Sequence, residues 1–201
     1  MAEYADLNRG LWDRPDPLRE QRSRFGRRFT GEGKDVLEVG CAAGEAGPFL
    51  APGNRLVGLD VVEDYLRRIG PGYRGRVAGN AALLPFGDRR FDVVFAAEFI
   101  EHLAEADGRS FLREARRVLR PGGLVLLTTP NPAYWRTRLF RIRISGGPHL
   151  RVYTPRDLEA LLREAGLEPS GRRGLGRMAF LLGTRFPLTF YGDYGLVAHR
   201  R

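Results

Sequence analysis

Asp35-Val36-Leu37-Glu38-Val39-Gly40-Cys41-Ala42-Ala43-Gly44 is the stretch that decides the fold. A short apolar run that ends in small residues reads as a buried strand entering a tight turn, with a helix to follow. A second apolar run, residues 55–59 (RLVGL), ends at Asp60. A strand, a small-residue turn, a second strand and then an acid is the layout of a nucleotide-like cofactor at the edge of a parallel sheet.

The turn narrows the cofactor. A dinucleotide fingerprint, G-x-G-x-x-G, needs glycine at positions 40, 42 and 45, where this chain has Gly40, Ala42 and Glu45. The spacing present is Gly40-x-Ala42-x-Gly44, with Glu38 two residues before the first glycine. Small residues let the backbone approach a ligand closely. A carboxylate at Glu45 disfavours a pyrophosphate, so a cationic ligand with an amino group suits this turn better. Asp60 follows Gly40 by 60 − 40 = 20 residues. That spacing suits a carboxylate accepting both hydroxyls of a ribose. The plainer alternative for Asp60 is a strand-end helix cap.

Working outward, short apolar runs alternate with helical patterns. Residues 76–78 are a weak third strand, 91–96 (FDVVFA) a fourth and 124–128 (LVLLT) a fifth. Residues 194–199 close the chain as a last strand. In 109–119, Phe111, Leu112, Ala115, Val118 and Leu119 share one helical face. Pro121-Gly122-Gly123 predicts a turn. Thr154 caps a further helix, with Pro155 at its first position, Asp157 completing a loose capping box, and Leu158, Leu161, Leu162 and Ala165 on its buried face. Residues 18–29 (LREQRSRFGRRF) predict a basic helix, so 1–30 are expected to form an N-terminal helical cap and 31–201 the main domain. The alternation implies an α/β chain with a Rossmann-like, doubly wound, seven-stranded, mostly parallel sheet, an antiparallel last strand and a single domain.

Bulk properties fit that class. Apolar residues make up 43% and charged residues 28% of the chain, the balance of a soluble globular protein. No apolar run approaches a membrane span and no secretory signal opens the chain. Cys41 is the one cysteine, which excludes an internal disulfide and predicts a cytoplasmic location. Net charge is +9, and Lys34 is the single lysine. A basic surface can attract nucleic acid, anionic lipid or acidic substrates, but because the arginines are spread along the chain, the arginine preference of a GC-rich genome or a hot habitat is the favoured reading.

The later segments carry a family resemblance. DVLEVGCAAG, LVGLD, VAGNAALLPFGDRRFDVVF, AAEFIEHL and LRPGGLVLLTTPN together resemble the successive motifs of class I S-adenosylmethionine-dependent methyltransferases of the type 11/23 kind, over residues 31–201. The resemblance implies that Glu38, Gly40, Cys41, Ala42, Gly44, Asp60, Val61, Asn80, Ala81 and Glu98 hold S-adenosyl-L-methionine. The turn at Gly40–Gly44 would line the methionine portion and Asp60 the ribose. The Asn80 side chain and the Ala81 N–H would meet the adenine, and Glu98 would face the reactive end. Ala42 stands where the family has a glycine, and Asn80 where it has an aspartate. An asparagine carbonyl still accepts from an adenine amino group, and a plain turn residue is the alternative at that position.

Methyl transfer needs alignment and water exclusion more than a nucleophile, so the acceptor leaves a faint trace. The catalytic candidates are His102, His149 and Glu101: an imidazole titrates near neutrality and can take a hydroxyl proton. If 98–102 is helical, Glu98, Glu101 and His102 share a face. With His149 they form a candidate divalent-metal set. A similar arrangement occurs in small-RNA 3′-end 2′-O-methyltransferases and in quinone-pathway O-methyltransferases. The metal-free reading is preferred, since E-H-L at this point is common in the family without metal. His199 reads as structural. Residues 134–144 (YWRTRLFRIRI) read as a lid over an anionic or aromatic acceptor, a nucleic-acid grip, or a lid helix with a solvated basic face. Residues 178–191 (MAFLLGTRFPLTFY) read as a core hairpin, a pocket wall, or a membrane or subunit contact. A small-molecule acceptor modified at oxygen is the leading expectation. RNA is the alternative acceptor, and a non-catalytic cofactor-binding protein the other class. Monomer and homodimer both stay open.

Overall fold

The computed structural model describes residues 18–44, 46–140, 149–176, 178–179, 183–184 and 187–201. In chain order the elements are α1 (Arg19–Thr30), β1 (Asp35–Val39), α2 (Gly47–Leu50), β2 (Arg55–Asp60), α3 (Glu63–Arg68), β3 (Tyr73–Ala78) and β4 (Phe91–Ala97). They continue with α4 (Glu105–Val118), β5 (Leu119–Pro130), α5 (Trp135–Leu139), α6 (Pro155–Glu164), β6 (Leu167–Leu175) and β7 (Asp193–Arg200).

Successive strand residues point to opposite faces, so adjacent buried residues mean that both faces are covered. Val36 packs with Phe25 of α1, Leu50 of α2, Val93, Phe95, Leu126 and Val197 on one face. Leu37 packs with Val94, Ala96, Phe111, Leu112, Leu127 and Leu162 on the other, beneath α4 and α6. The sheet order is β3-β2-β1-β4-β5-β7-β6, with seven strands. β7 pairs antiparallel with both β5 and β6, and the other pairs are parallel. The expected α/β class and antiparallel last strand are therefore observed. Chain order reverses between β1 and β4, and that crevice is where such sheets hold ligands.

One expected turn is not observed. Pro121-Gly122-Gly123 makes no turn. It lies inside β5, where the register against β4 shifts between Phe91 and Val93, and Gly122 takes a φ of 75° to form the irregularity. β6 has no apolar run; Pro169, Gly171 and Gly174 interrupt it, which a sheet-edge strand tolerates. Thr154 and Asp157 form a complete capping box, with each side chain bonded to the other residue's backbone N–H.

Candidate active site

The glycine turn is held by the acid that follows it. Asp60, at the end of β2, accepts the Ala42 N–H at 2.8 Å through Oδ2 and the Val62 N–H at 2.9 Å through Oδ1. Each carboxylate oxygen keeps a lone pair for a ligand hydroxyl. Burial raises the Asp60 pKa, while its backbone N–H donors oppose that shift. Ala42 sits at φ 45°, a left-handed conformation that an L side chain adopts at a cost of roughly 1–2 kcal/mol. The replaced glycine leaves that backbone shape intact.

Gly40 is at φ 69°, and a Cβ there would lie 2.3 Å from Phe99 Cδ2. Gly40→Ala is expected to cost roughly 3 kcal/mol from left-handed strain plus overpacking, read by urea denaturation. Phe99 must then move, so cofactor affinity falls with stability. Full stability in this variant would show that the ring has free space.

A cleft of about 530 Å³ opens beyond this turn, lined by Gly40, Asp60, Val61, Asn80, Ala81 and Phe99 among others. The segment that follows Asn80 and Ala81 is pinned from α4. Arg117 donates to the carbonyls of Phe86 and Leu84 at 2.8 and 3.0 Å and pairs with Glu114 and Asp88. Asn80 Oδ1 accepts the Ala82 N–H at 2.9 Å, so the side chain caps the short 3-10 helix Ala81–Leu83 while it borders the cleft.

Gly40 also lines a second hollow of about 400 Å³, with Arg22, Glu38, Cys41, Ala42 and Glu98. Tyr73 donates its hydroxyl to Glu38. Cys41 is buried, and burial first, then the charges of Glu38 and Asp60, push its thiol pKa up. Gly44 is at φ 83°, and Glu45 lies outside the described residues.

Glu98 departs from expectation. It is not on a helix: it turns the corner after β4 at φ 48°, and the 3-10 helix begins at Ile100. Its Oε1 accepts from the Thr128 hydroxyl at 3.0 Å. Its Oε2 lies 3.2 Å from the Arg22 guanidinium, which also bonds Asp193 at 2.7 Å. Arg22, Thr128 and Asp193 were not foreseen as site residues. Arg22 looks like its neighbours in a basic helix, and nothing local marks it as the arginine that turns inward.

Burial, followed by the Asp193 charge, raises the Glu98 pKa well above its ordinary 4.5. The folded chain therefore keeps a proton that the unfolded chain has lost. Its stabilising contribution is complete below the ordinary range and fades as pH rises through the raised value. Ligand-free protein is expected to lose stability as pH climbs from about 4.5, and Glu98→Gln to flatten part of that slope in urea titrations. An unchanged slope would place the proton elsewhere.

The remaining candidates do converge. Ring centroids of His102 and His149 are 4.9 Å apart. One ligand atom each from Glu101, His102 and His149 lies within 4.8 Å of the others. The backbone fixes this meeting, because the N–H groups of Leu150 and Arg151 both donate to the Glu101 carbonyl, at 2.9 and 3.0 Å. Glu101 Oε2 accepts from Thr129 at 3.1 Å, and its Oε1 is buried with no hydrogen-bond partner among the described residues. Burial pushes the Glu101 pKa up to about 8. Glu98, expected as a fourth member of a metal set, points to Arg22 instead. His199 is exposed on β7, away from this group. Residues 141–148, which include the last four of the expected lid at 134–144, lie outside the described residues, as do several positions between 177 and 186; the 3-10 helix Leu188–Phe190 and the buried Tyr191 are described.

Residues 37–127 match the family model described as "Methyltransferase domain". The chain is 33% identical to the 27-O-demethylrifamycin SV methyltransferase of Amycolatopsis mediterranei, over 82% of this chain and 67% of that one. It belongs to the class I S-adenosylmethionine-dependent methyltransferases. This methyltransferase is also 31% identical to a ubiquinone biosynthesis O-methyltransferase of Cereibacter sphaeroides, over 72% of its own length and 64% of the relative. It thus spans about two thirds or less of the curated relatives it matches. The structure of the CcbJ methyltransferase from Streptomyces caelestis shares the fold, with a TM-score of 0.74 at 21% identity, over 94% of this chain and 98% of that one.

The two hollows suit the family's cofactor. Asp60 has lone pairs for a ribose, Gly40 borders both hollows, and the carboxyl groups of Glu38 and Glu98 line the second.

Proposed function

We propose that this methyltransferase methylates a hydroxyl oxygen of a small-molecule acceptor held against Glu101, His102 and His149. The observation that carries the reading is the convergence of two imidazoles and a buried carboxylate beyond the Glu98 corner. S-adenosylmethionine supplies a methyl group already activated on a sulfonium, so the chain need only align the acceptor, exclude water and accept a proton. Asp60 holds the ribose, Asn80 and Ala81 meet the adenine, and the turn from Gly40 through Cys41 and Ala42 to Gly44 lines the methionine portion. Val61 walls the ribose end. Glu38 and Glu98 face the cationic end, with Arg22 balancing Glu98. His102 or His149 takes the acceptor's proton, and Glu101 positions them. One matched relative is named an O-methyltransferase and another a 27-O-demethylrifamycin SV methyltransferase, which supports oxygen as the target. The lone buried Cys41 supports a cytoplasmic location.

The test is a methyl-transfer assay with labelled donor and matched hydroxyl and amine acceptors, with RNA as a third arm. Labelled ether from the hydroxyl acceptor supports the reading; label on nitrogen or on RNA alone overturns it.

A second reading is favoured by one observation, the unpartnered buried Oε1 of Glu101 beside two imidazoles. Those three residues offer a divalent cation a mixed nitrogen–oxygen ligand set, and a cation there would acidify a hydroxyl acceptor. Elemental analysis decides it. Stoichiometric metal that disappears in Glu101→Ala supports the cation, and metal-free protein with full activity excludes it.

A further inference from the structure

We propose that α5 and the residues around it form a docking surface for an anionic lipid membrane, which puts the acceptor site at the bilayer surface. No residue of α5 is buried. Trp135, Leu139 and Phe140 are 40%, 66% and 60% exposed, although each is a large apolar side chain. Exposed apolar side chains set among charges mark an interaction surface. Arginines supply the charge here. The described residues 134–140 contain Arg136 and Arg138 and no acid. The Arg136 guanidinium lies 6.0 Å from the Trp135 ring centre and 5.9 Å from that of Phe140. Among the described residues no carboxylate pairs with Arg136 or Arg138, whereas Arg109, Arg117, Arg120 and Arg172 all have acidic partners. Apolar tips between unneutralised arginines match the charge and polarity of an anionic lipid surface. No helix among the described residues is long and apolar enough to cross a membrane, so the contact is peripheral.

Position gives the surface a purpose. The segment leaves the sheet just after Thr129, which bonds Glu101, and Asn131, whose side chain donates to the carbonyls of Leu188 and Tyr191. It returns at His149 against the His102 ring, with Leu150 and Arg151 bonded to the Glu101 carbonyl. The described residues Thr129 and His149–Arg151, on either side of this stretch in the chain, both lie at the proposed acceptor site. A chain docked through α5 would therefore take a lipophilic hydroxyl acceptor from the bilayer, a consequence that rests on the function proposed above. The lipid contact itself does not rest on it. RNA fits less well: bases stack on free aromatic faces, whereas an arginine lies near both rings and the most exposed apolar residue of the patch is an aliphatic leucine.

Flotation with vesicles tests this, using phosphatidylcholine alone and phosphatidylcholine with phosphatidylglycerol. The protein is expected to float with the anionic vesicles. Arg136→Ala with Arg138→Ala should weaken partitioning about 30-fold, from roughly 1 kcal/mol per arginine near an anionic surface. Leu139→Asp with Phe140→Asp should abolish it. Calorimetric affinity for S-adenosylhomocysteine should stay unchanged in both variants, showing an intact fold whatever the acceptor proves to be. Absence from anionic vesicles, partitioning indifferent to both double variants, or retention of a single-stranded RNA oligonucleotide in place of vesicles would overturn the proposal.

Discussion

Asp60→Ala is expected to weaken binding of S-adenosylmethionine and of its demethylated product by roughly 100-fold or more, measured by titration calorimetry. Two effects add. The ribose loses the carboxylate that would accept its hydroxyls, and hydrogen bonds to a charged group contribute about 1.5–3 kcal/mol each. The Ala42 and Val62 N–H groups also lose their acceptor, so the turn that shapes the cofactor site loosens. Asp60→Asn keeps one carbonyl oxygen and should lose less. Affinity unchanged in Asp60→Ala would mean that the carboxylate serves only the turn.

His102→Ala carries the second large effect. It should lower kcat by about 10²- to 10⁴-fold, the usual range for a positioned general base. Affinity for S-adenosylhomocysteine should be retained, because His102 lies outside both hollows. His149→Ala tests which ring takes the proton. Loss of the ring that does so should cost the larger factor in kcat, and loss of the other the smaller. Retention of full kcat in both variants would leave alignment as the whole of the chain's contribution.

The opening stretch was readable because backbone chemistry dictates it. A buried strand, a turn requiring left-handed residues and an acid at the next strand end are local features, and the structure joins them through the Asp60 hydrogen bonds. Thr154 and Asp157 were readable for the same reason. β6 was not, since its glycines and proline carry no apolar period and only the neighbouring β7 makes it a strand. The Glu98 corner was missed because helical spacing was applied to a segment that first passes through φ 48°. Arg22 and Asp193 are 171 residues apart, and their pairing is a product of the tertiary fold.

The most direct measurement is a crystal structure with S-adenosylhomocysteine and a hydroxyl acceptor bound. The predicted result has the ribose on Asp60, the adenine beside Asn80 and Ala81, and the acceptor hydroxyl between the cofactor sulfur and the imidazoles of His102 and His149. A sulfur facing away from Glu101, His102 and His149, with the acceptor oxygen out of reach of either ring, would contradict it.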